Sequence, residues 1–144
     1  MVSCHGAMHY ILLLILSIRV LQNRIVRTML FKPFDTRIRP LFSELNLLTI
    51  KDLFNFEIAK LVHKFHTVSL PDVFNCHFSY VSSATRSSTR NNLIVKRTNK
   101  EIGKRSSSYT GAVVWNAIPN EIRTLQFNGF SKAYKNNLLE AYMT

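Results

Sequence analysis

Apolar residues recur at intervals of three and four over residues 18–29, at Ile18, Leu21, Ile25 and Met29. Polar and basic residues recur at intervals of four on another side, at Arg19, Asn23 and Arg27. This pattern predicts an amphipathic helix with a basic outer stripe. Lys32-Pro33 ends the pattern, because proline has no N–H group with which to continue a helix.

Two further helices are predicted between residues 40 and 65. Pro40 suits the first turn of a short helix that carries Leu41, Leu45 and Leu48. Thr49, followed three residues later by Asp52, is typical of a helix N-cap with an acidic residue in the first turn. The apolar stripe behind this cap consists of Ile50, Phe54, Ile58, Leu61 and Phe65.

The remaining helical signals are shorter. Pro71 with Asp72 predicts a short helix that bears Val73, Phe74 and Phe78. Pro119 with Glu121 predicts one turn of helix. A last helix is predicted from the apolar spacing of Phe130, Tyr134, Leu138 and Ala141.

Residues 81–110 interrupt this apolar periodicity, because serines interspersed with Arg and Lys take the place of the apolar residues. Residues 93–95 are suited to pair as a strand with residues 108–114, so we expect an irregular basic loop or a short β-hairpin around 81–114. Together the patterns predict a mainly α protein, one small helical domain of about five helices. Along the chain we distinguish a hydrophobic start (1–20), a helical region (21–80), a basic Ser-rich loop (81–110) and a C-terminal helical region (111–144).

The first region contains the most hydrophobic stretch of the sequence, Tyr10–Ile18, which ends at Arg19. A membrane-spanning helix needs about 20 apolar residues, so this stretch is too short. No Lys or Arg precedes it and no small-x-small site follows it, which argues against a signal peptide. We expect a buried helix start here, with a targeting or anchoring role as the alternative.

The net charge of +11 is concentrated in two segments. Residues 19–39 hold six basic residues against one acidic residue, and residues 81–110 hold seven against one. Both segments are candidates for contact with a polyanion such as nucleic acid or an acidic membrane surface, unless the charge serves only solubility. The hydrophobic content of 47% argues against a chain that is disordered throughout. Two cysteines cannot form a disulfide framework.

The sequence offers little catalytic or metal-binding chemistry. No two of its eight acidic residues are adjacent, so paired metal-binding aspartates are missing, and Asp35, Asp52 and Asp72 suit helix caps and surfaces. A glycine-rich phosphate loop and a Gly-x-Ser-x-Gly elbow are missing as well. We therefore predict no catalytic residues and no cofactor.

The nearest approach to a zinc pattern is His63-x-x-His66 with Cys76-His77. It lacks the repeated Cys-x-x-Cys spacing of a zinc site, so we predict no metal and place both histidines at a helix C-terminus, where imidazole is favourable. Trp115 is the only tryptophan. We expect it to anchor the core, with base stacking as the alternative.

Several short segments follow one another in a recognisable order: Leu21–Arg27, Pro40-Leu41-Phe42, Leu45–Leu53, Lys64-Phe65-His66, Leu70-Pro71 before Phe74, Thr85-Arg86-Ser87, Gly103–Ser106, Tyr109–Ala112, Trp115–Pro119 and Phe130-Ser131-Lys132. In this order and spacing they resemble the region downstream of the reverse-transcriptase domain in polyproteins of non-long-terminal-repeat retrotransposons, the LINE-type and particularly the jockey-like group. The resemblance covers about residues 20–144.

The resemblance implies a fragment of a larger polyprotein whose polymerase copies RNA into DNA. The catalytic aspartates of that family lie upstream of the matching region, so it implies a non-catalytic segment. The expected partners are RNA or DNA, held through the phosphate backbone, and the upstream polymerase domain. The residues predicted to contact phosphates are Arg24, Arg27, Arg86, Arg90, Lys96, Arg97, Lys104 and Arg105.

Two other functions are compatible with the sequence. In the first, the segment packs against the polymerase body and has no function of its own. Alternatively, it is a small basic membrane-associated protein anchored by its hydrophobic N-terminus, although we expect membrane association less than nucleic-acid binding.

Overall fold

The computed structural model describes residues 4–67, 70–74, 76–82 and 91–143, apart from the side chains of residues 4–13 and of Ile102. The protein is mainly α-helical, as the sequence predicts. Its helices are α1 (Cys4–Met29), α2 (Ile38–Glu44), α3 (Ile50–His66), α4 (Glu101–Lys104), α5 (Ser107–Ala117), α6 (Asn120–Arg123) and α7 (Phe127–Glu140), with a 3₁₀ turn at Asp72–Phe74. Five of the α-helices described here have at least seven residues.

The chain divides into two compact units. Unit 1 comprises Met1–Asp52 and Asn137–Thr144, and unit 2 comprises Leu53–Asn136. In the described part of unit 1 the core consists of Val26, Leu41, Phe42, Leu48, Leu139 and Tyr142. In that of unit 2 it is built mainly from α3, α5 and α7.

Helix α1 differs from the prediction in which of its residues are covered. The expected buried start is wrong for the part whose side chains are described, because Leu14, Ile15, Leu16 and Ile18 are 47–62% exposed. The stripe that continues at Leu21, Ile25 and Met29 is exposed as well. Val26 faces the core instead, since α2 packs against that side of α1. Periodicity identified the residues that share a face, but it does not tell which face is covered.

Within unit 1, the side chain of Gln22 connects α1 to the start of α3. Its amide nitrogen donates to the Leu48 carbonyl at 3.0 Å, and its amide oxygen accepts from the Ile50 N–H at 3.0 Å. Thr49 caps α3 as predicted, since its hydroxyl oxygen accepts from the Asp52 N–H at 3.3 Å. One long polar side chain therefore satisfies both the carbonyl before the cap and a free N–H of the first turn.

Tyr142 completes this end of unit 1. Its hydroxyl donates to the Asp52 carboxylate at 2.5 Å and accepts from the Thr49 N–H at 3.1 Å, while its ring meets Phe42 edge-on at 6.5 Å. Burial and the hydrogen bond to Asp52 raise the pKa of Tyr142. The hydroxyl is thus held protonated, as a donor to the carboxylate.

In unit 2, α3 buries Ile58, Ala59, Val62 and His63. This inward side is rotated from the predicted stripe, because Phe54 is exposed and Leu61 and Phe65 are only half-buried. His63 faces α5 and α7, where it contacts the rings of Trp115 and Phe130. Packing against the aromatic residues of these two helices selects the side of α3 that is buried.

The segment predicted as the second strand of a hairpin is helical, so this prediction is wrong. Residues 107–117 form α5, whose start is capped by Ser106, because its hydroxyl accepts from the Tyr109 N–H at 3.3 Å. Leu93 instead forms an isolated antiparallel bridge with Tyr80. A serine cap and burial of Trp115 outweigh the strand preference of Val113-Val114. Residues 83–90 of the predicted loop lie outside the described part of the chain.

Among the described residues, no helix is both long and apolar enough to cross a membrane.

Substituting two helical glycines is expected to change stability in opposite directions. A Cβ added at Gly111 would lie 2.7 Å from a ring carbon of Phe78, whereas at Gly129 the nearest atom is the Leu125 Cβ at 3.6 Å. We expect Gly111→Ala to lower the free energy of unfolding by about 1–3 kcal/mol through overpacking. Gly129→Ala should raise it by up to about 1 kcal/mol, since alanine favours the helix. Urea unfolding followed by circular dichroism measures both, and equal effects would contradict the packing at Gly111.

Removing the Tyr142 hydroxyl tests the contacts at the start of α3. Tyr142→Phe keeps the ring but leaves Asp52 and the Thr49 N–H without this partner. We expect a loss of about 1–3 kcal/mol in the free energy of unfolding, the range for hydrogen bonds to charged groups. Tyr109→Phe is the control, because the Tyr109 hydroxyl bonds no other described residue, and an equal loss there would refute the assignment.

Candidate nucleic-acid interface

An open groove of about 250 Å³ lies at the C-terminal end of α1 and in the turn that follows it. Three of its lining side chains are cations, and two are aromatic. The lining residues are Arg24, Arg27, Thr28, Phe31, Lys32 and Phe34. The groove therefore combines positive charge with exposed aromatic surface in unit 1.

The end of α1 determines the shape of this groove. The Lys32 N–H donates to the Arg27 carbonyl at 3.0 Å and the Phe31 N–H donates to the Thr28 carbonyl at 3.2 Å, which together form a Schellman motif. Phe31 occupies the left-handed position of this motif, with φ 50°. Glycine is the usual residue there, and an L-residue in this conformation costs roughly 1–2 kcal/mol.

Arg27 joins the helix to the turn after it. Its guanidinium donates to the Thr36 carbonyl at 3.2 Å and lies 5.0 Å from the centre of the Phe34 ring. Its Nε is buried and has no hydrogen-bond partner in the described structure. Arg27 thus positions Phe34 by a cation–π contact and keeps one donor unused.

Arg24 and Arg27 are the two predicted phosphate contacts that lie in this groove. Arg24 is exposed, and Arg27 is half-buried. Lys32 is exposed beside them, and Asp35 is the one acidic residue in residues 19–39. Two exposed cations and one half-buried cation consequently lie on one short stretch of unit 1.

The other predicted contacts belong to the second basic segment, in unit 2. Lys96 and Arg97 are exposed in the segment without regular secondary structure before α4, and Lys104 and Arg105 are exposed at the end of α4. Lys104 is paired with Glu101 at 2.7 Å, and this hydrogen bond raises the pKa of Lys104 and lowers that of Glu101. Arg86 and Arg90 lie outside the described residues.

The sequence analysis missed the aromatic part of the groove. Phe31 is 95% exposed and Phe34 is 80% exposed, and neither they nor Lys32 were among the predicted site residues. One signal in the sequence does indicate them, because Phe31-Lys32-Pro33-Phe34 directly follows a basic helix. Pro33 ends that helix, so no helical face is available to bury the two rings.

Trp115 is fully buried, as expected of a core anchor. Its indole N–H donates to the Asn91 carbonyl at 3.2 Å. The side chain of Asn116 accepts from the Leu93 N–H at 2.9 Å and donates to the Leu93 carbonyl at 2.8 Å. These two residues hold residues 91–93 against α5, so base stacking on Trp115 is sterically blocked.

The histidines of the weak zinc pattern bind protein groups. His63 Nε2 donates to the Leu125 carbonyl at 2.9 Å, and its ring stacks on Phe130 at 4.3 Å. His66 Nδ1 bonds the Tyr80 hydroxyl at 2.8 Å. Cys76 and His77 are exposed on the turn after Asp72–Phe74. No group of three His, Cys, Asp or Glu side chains suited to a metal ion occurs in the parts of the chain that the structure describes.

No protein-family model, curated protein or solved structure matches the chain.

The stability of the protein should depend on pH through His66. Burial, together with the nearby His63 and Arg123, lowers the pKa of His66 below the ordinary 6.5. Between the lowered pKa and 6.5 the unfolded chain therefore binds more protons than the folded chain. The stability that neutral His66 contributes is lost as the pH falls through that interval.

We expect the free energy of unfolding to fall between about pH 7 and pH 5, and His66→Gln to reduce that fall. Urea titrations at the two pH values measure the difference. His77→Gln, at an exposed histidine, is the matched control and should leave the fall unchanged. An undiminished fall in His66→Gln would contradict this assignment.

Proposed function

We propose that this chain is a non-catalytic nucleic-acid-binding segment that holds RNA or DNA through the phosphate backbone. The observation that supports it is the groove at the end of α1, in which Arg24, Arg27 and Lys32 line one open volume. Lys and Arg contacts to phosphates supply most of the affinity of sequence-independent binding. Unit 2 has exposed basic residues of its own, at Lys96, Arg97, Lys104 and Arg105.

The proposed origin is the region downstream of the reverse-transcriptase domain in a LINE-type, jockey-like retrotransposon polyprotein. In this proposal the chain contributes template or product binding, or packing, to a polymerase whose catalytic residues lie elsewhere. The residue order in segments such as Trp115–Pro119 supports the origin, and the cationic groove supports the binding role. No reaction step is assigned to this chain.

A second candidate function is association with an acidic membrane surface. It is favoured by the exposed apolar side chains of α1 from Leu14 to Leu21. These precede the groove cations Arg24, Arg27 and Lys32 in the chain. A helix that lies in a membrane interface combines such a face with Arg and Lys. This is the alternative that the binding experiment must separate from nucleic-acid binding.

Charge reversal in the groove tests the nucleic-acid proposal. We expect the full chain to bind labelled RNA at low salt, with a log–log salt slope near −0.7 per single-strand phosphate contacted. Arg24→Glu with Lys32→Glu should lower the affinity at least about tenfold and make the slope shallower by about 1.4, the share of two contacts. Fluorescence anisotropy at several salt concentrations measures both quantities.

The matched control is Lys51→Glu with Lys132→Glu, which changes the net charge equally at two exposed lysines outside the groove. It should retain most of the affinity. An equal loss in both double variants would mean that net charge, and not the groove, drives binding. Binding to phosphatidylserine vesicles without binding to RNA or DNA would favour the membrane alternative and refute the proposal.

A further inference from the structure

Phe31 combines two unusual properties. Its backbone is in the left-handed region at φ 50°, at a Schellman position where glycine is usual, and its side chain is 95% exposed. The exposed ring gains almost no packing that would offset the unfavourable backbone conformation. Residues held in such conformations cluster at ligand sites, so an observed outlier of this kind points to a role in binding.

Phe34 presents a second ring to the same groove. The guanidinium of Arg27 lies 5.0 Å from its ring centre, and 80% of the residue remains exposed. The cation–π contact restricts the ring while leaving most of its surface open to solvent. A restrained, exposed ring loses little conformational freedom when a planar ligand stacks on it.

The cations beside the two rings indicate the class of ligand. Arg24 and Lys32 are exposed on the lining of the groove, and the half-buried Arg27 lines it as well. Positive side chains next to exposed aromatic rings match a ligand that alternates phosphates with planar bases. Proteins that bind single strands use this combination of a basic groove with stacking platforms.

We propose that the groove binds unpaired nucleotides, with bases stacked on Phe31 and Phe34 and phosphates beside Arg24 and Lys32. This inference rests on the proposed nucleic-acid function and specifies its ligand as single-stranded. A duplex keeps its bases stacked within the helix, so it offers phosphates to the cations but no base face to the rings. The groove is therefore selective for single strands without reading their sequence.

The experiment compares three probes that carry the same number of phosphates. The first is a labelled oligothymidylate of about twelve nucleotides, a length within the range that one small binding domain covers. The second is an abasic backbone of the same length, and the third is a duplex. We expect the full chain to bind oligothymidylate about a hundredfold more tightly than the abasic backbone, because each of the two stacked bases strengthens binding about tenfold. Anisotropy titration at low salt measures all three affinities.

Variants of the rings then separate stacking from charge. Phe31→Gly and Phe34→Leu should each lower the preference for oligothymidylate about tenfold and leave the affinity for the abasic backbone unchanged. Phe54→Leu, at an exposed phenylalanine on α3 outside the groove, should change neither affinity. Arg24→Glu should weaken binding to every probe.

Phe31→Gly has a second readout that a merely structural residue would not give. Glycine adopts the left-handed conformation without strain, so this variant should unfold at a higher urea concentration while binding oligothymidylate more weakly. Lower affinity together with higher stability would support the proposal. A gain in stability with unchanged affinity for oligothymidylate would overturn it.

The outcomes also distinguish the two proposals. If no probe binds at low salt, the proposed nucleic-acid function fails, and the exposed rings would then suit a protein surface. If all three probes bind equally and the ring variants bind like the original chain, the backbone-binding function stands and the single-strand inference is wrong.

Discussion

Arg123 places a guanidinium inside unit 2, and the surrounding chain is arranged to satisfy it. Its Nε donates to the Ile118 carbonyl at 2.7 Å, its Nη2 to the Asn116 carbonyl at 3.0 Å, and its Nη1 to the Asn92 side chain at 2.8 Å. The two carbonyls lie at the end of α5, where helices leave acceptors without partners and favour positive charge. A buried cation thus satisfies the end of one helix and connects it to residues 91–93, which Trp115 and Asn116 also bind. The segment Trp115–Pro119 therefore has a folding role.

The sequence predicted the helices whose local signals agree with their packing. Thr49 and Asp52 fix the start of α3 because their hydrogen bond is local. Pro119 directly precedes α6, where its fixed φ suits the start of a helix. The local signals of α5 conflict, because Ser106 caps its start whereas Val113 and Val114 favour a strand. Packing against residues distant in the chain, such as Phe78, favours the helix and is not visible in local sequence. The exposed face of α1 was misassigned because spacing shows that Ile18, Leu21 and Ile25 lie together, whereas their exposure depends on which elements pack nearby.

The candidate site was predictable in its charge but not in its shape. Counting basic residues identified Arg24 and Arg27, because cations concentrated in a short segment are visible in any sequence. Phe31 and Phe34 were missed because phenylalanine is ordinarily a core residue, and neither the left-handed backbone nor the exposure is visible before the helix end is known. Arg86 and Arg90 remain sequence predictions, since they lie outside the described residues.

Tyr142 gives unit 1 an order of assembly during protein synthesis. The side chain that binds Asp52 is separated from it by 90 positions in the chain. Residues 1–52 therefore leave the ribosome before the segment that completes their unit has been translated, and at typical elongation rates the delay is roughly 5–20 s. All of unit 2 is synthesised within that interval. Until Tyr142 has been synthesised, unit 1 is incomplete, because the capping residues of α3 are present but the tyrosine that binds them is missing.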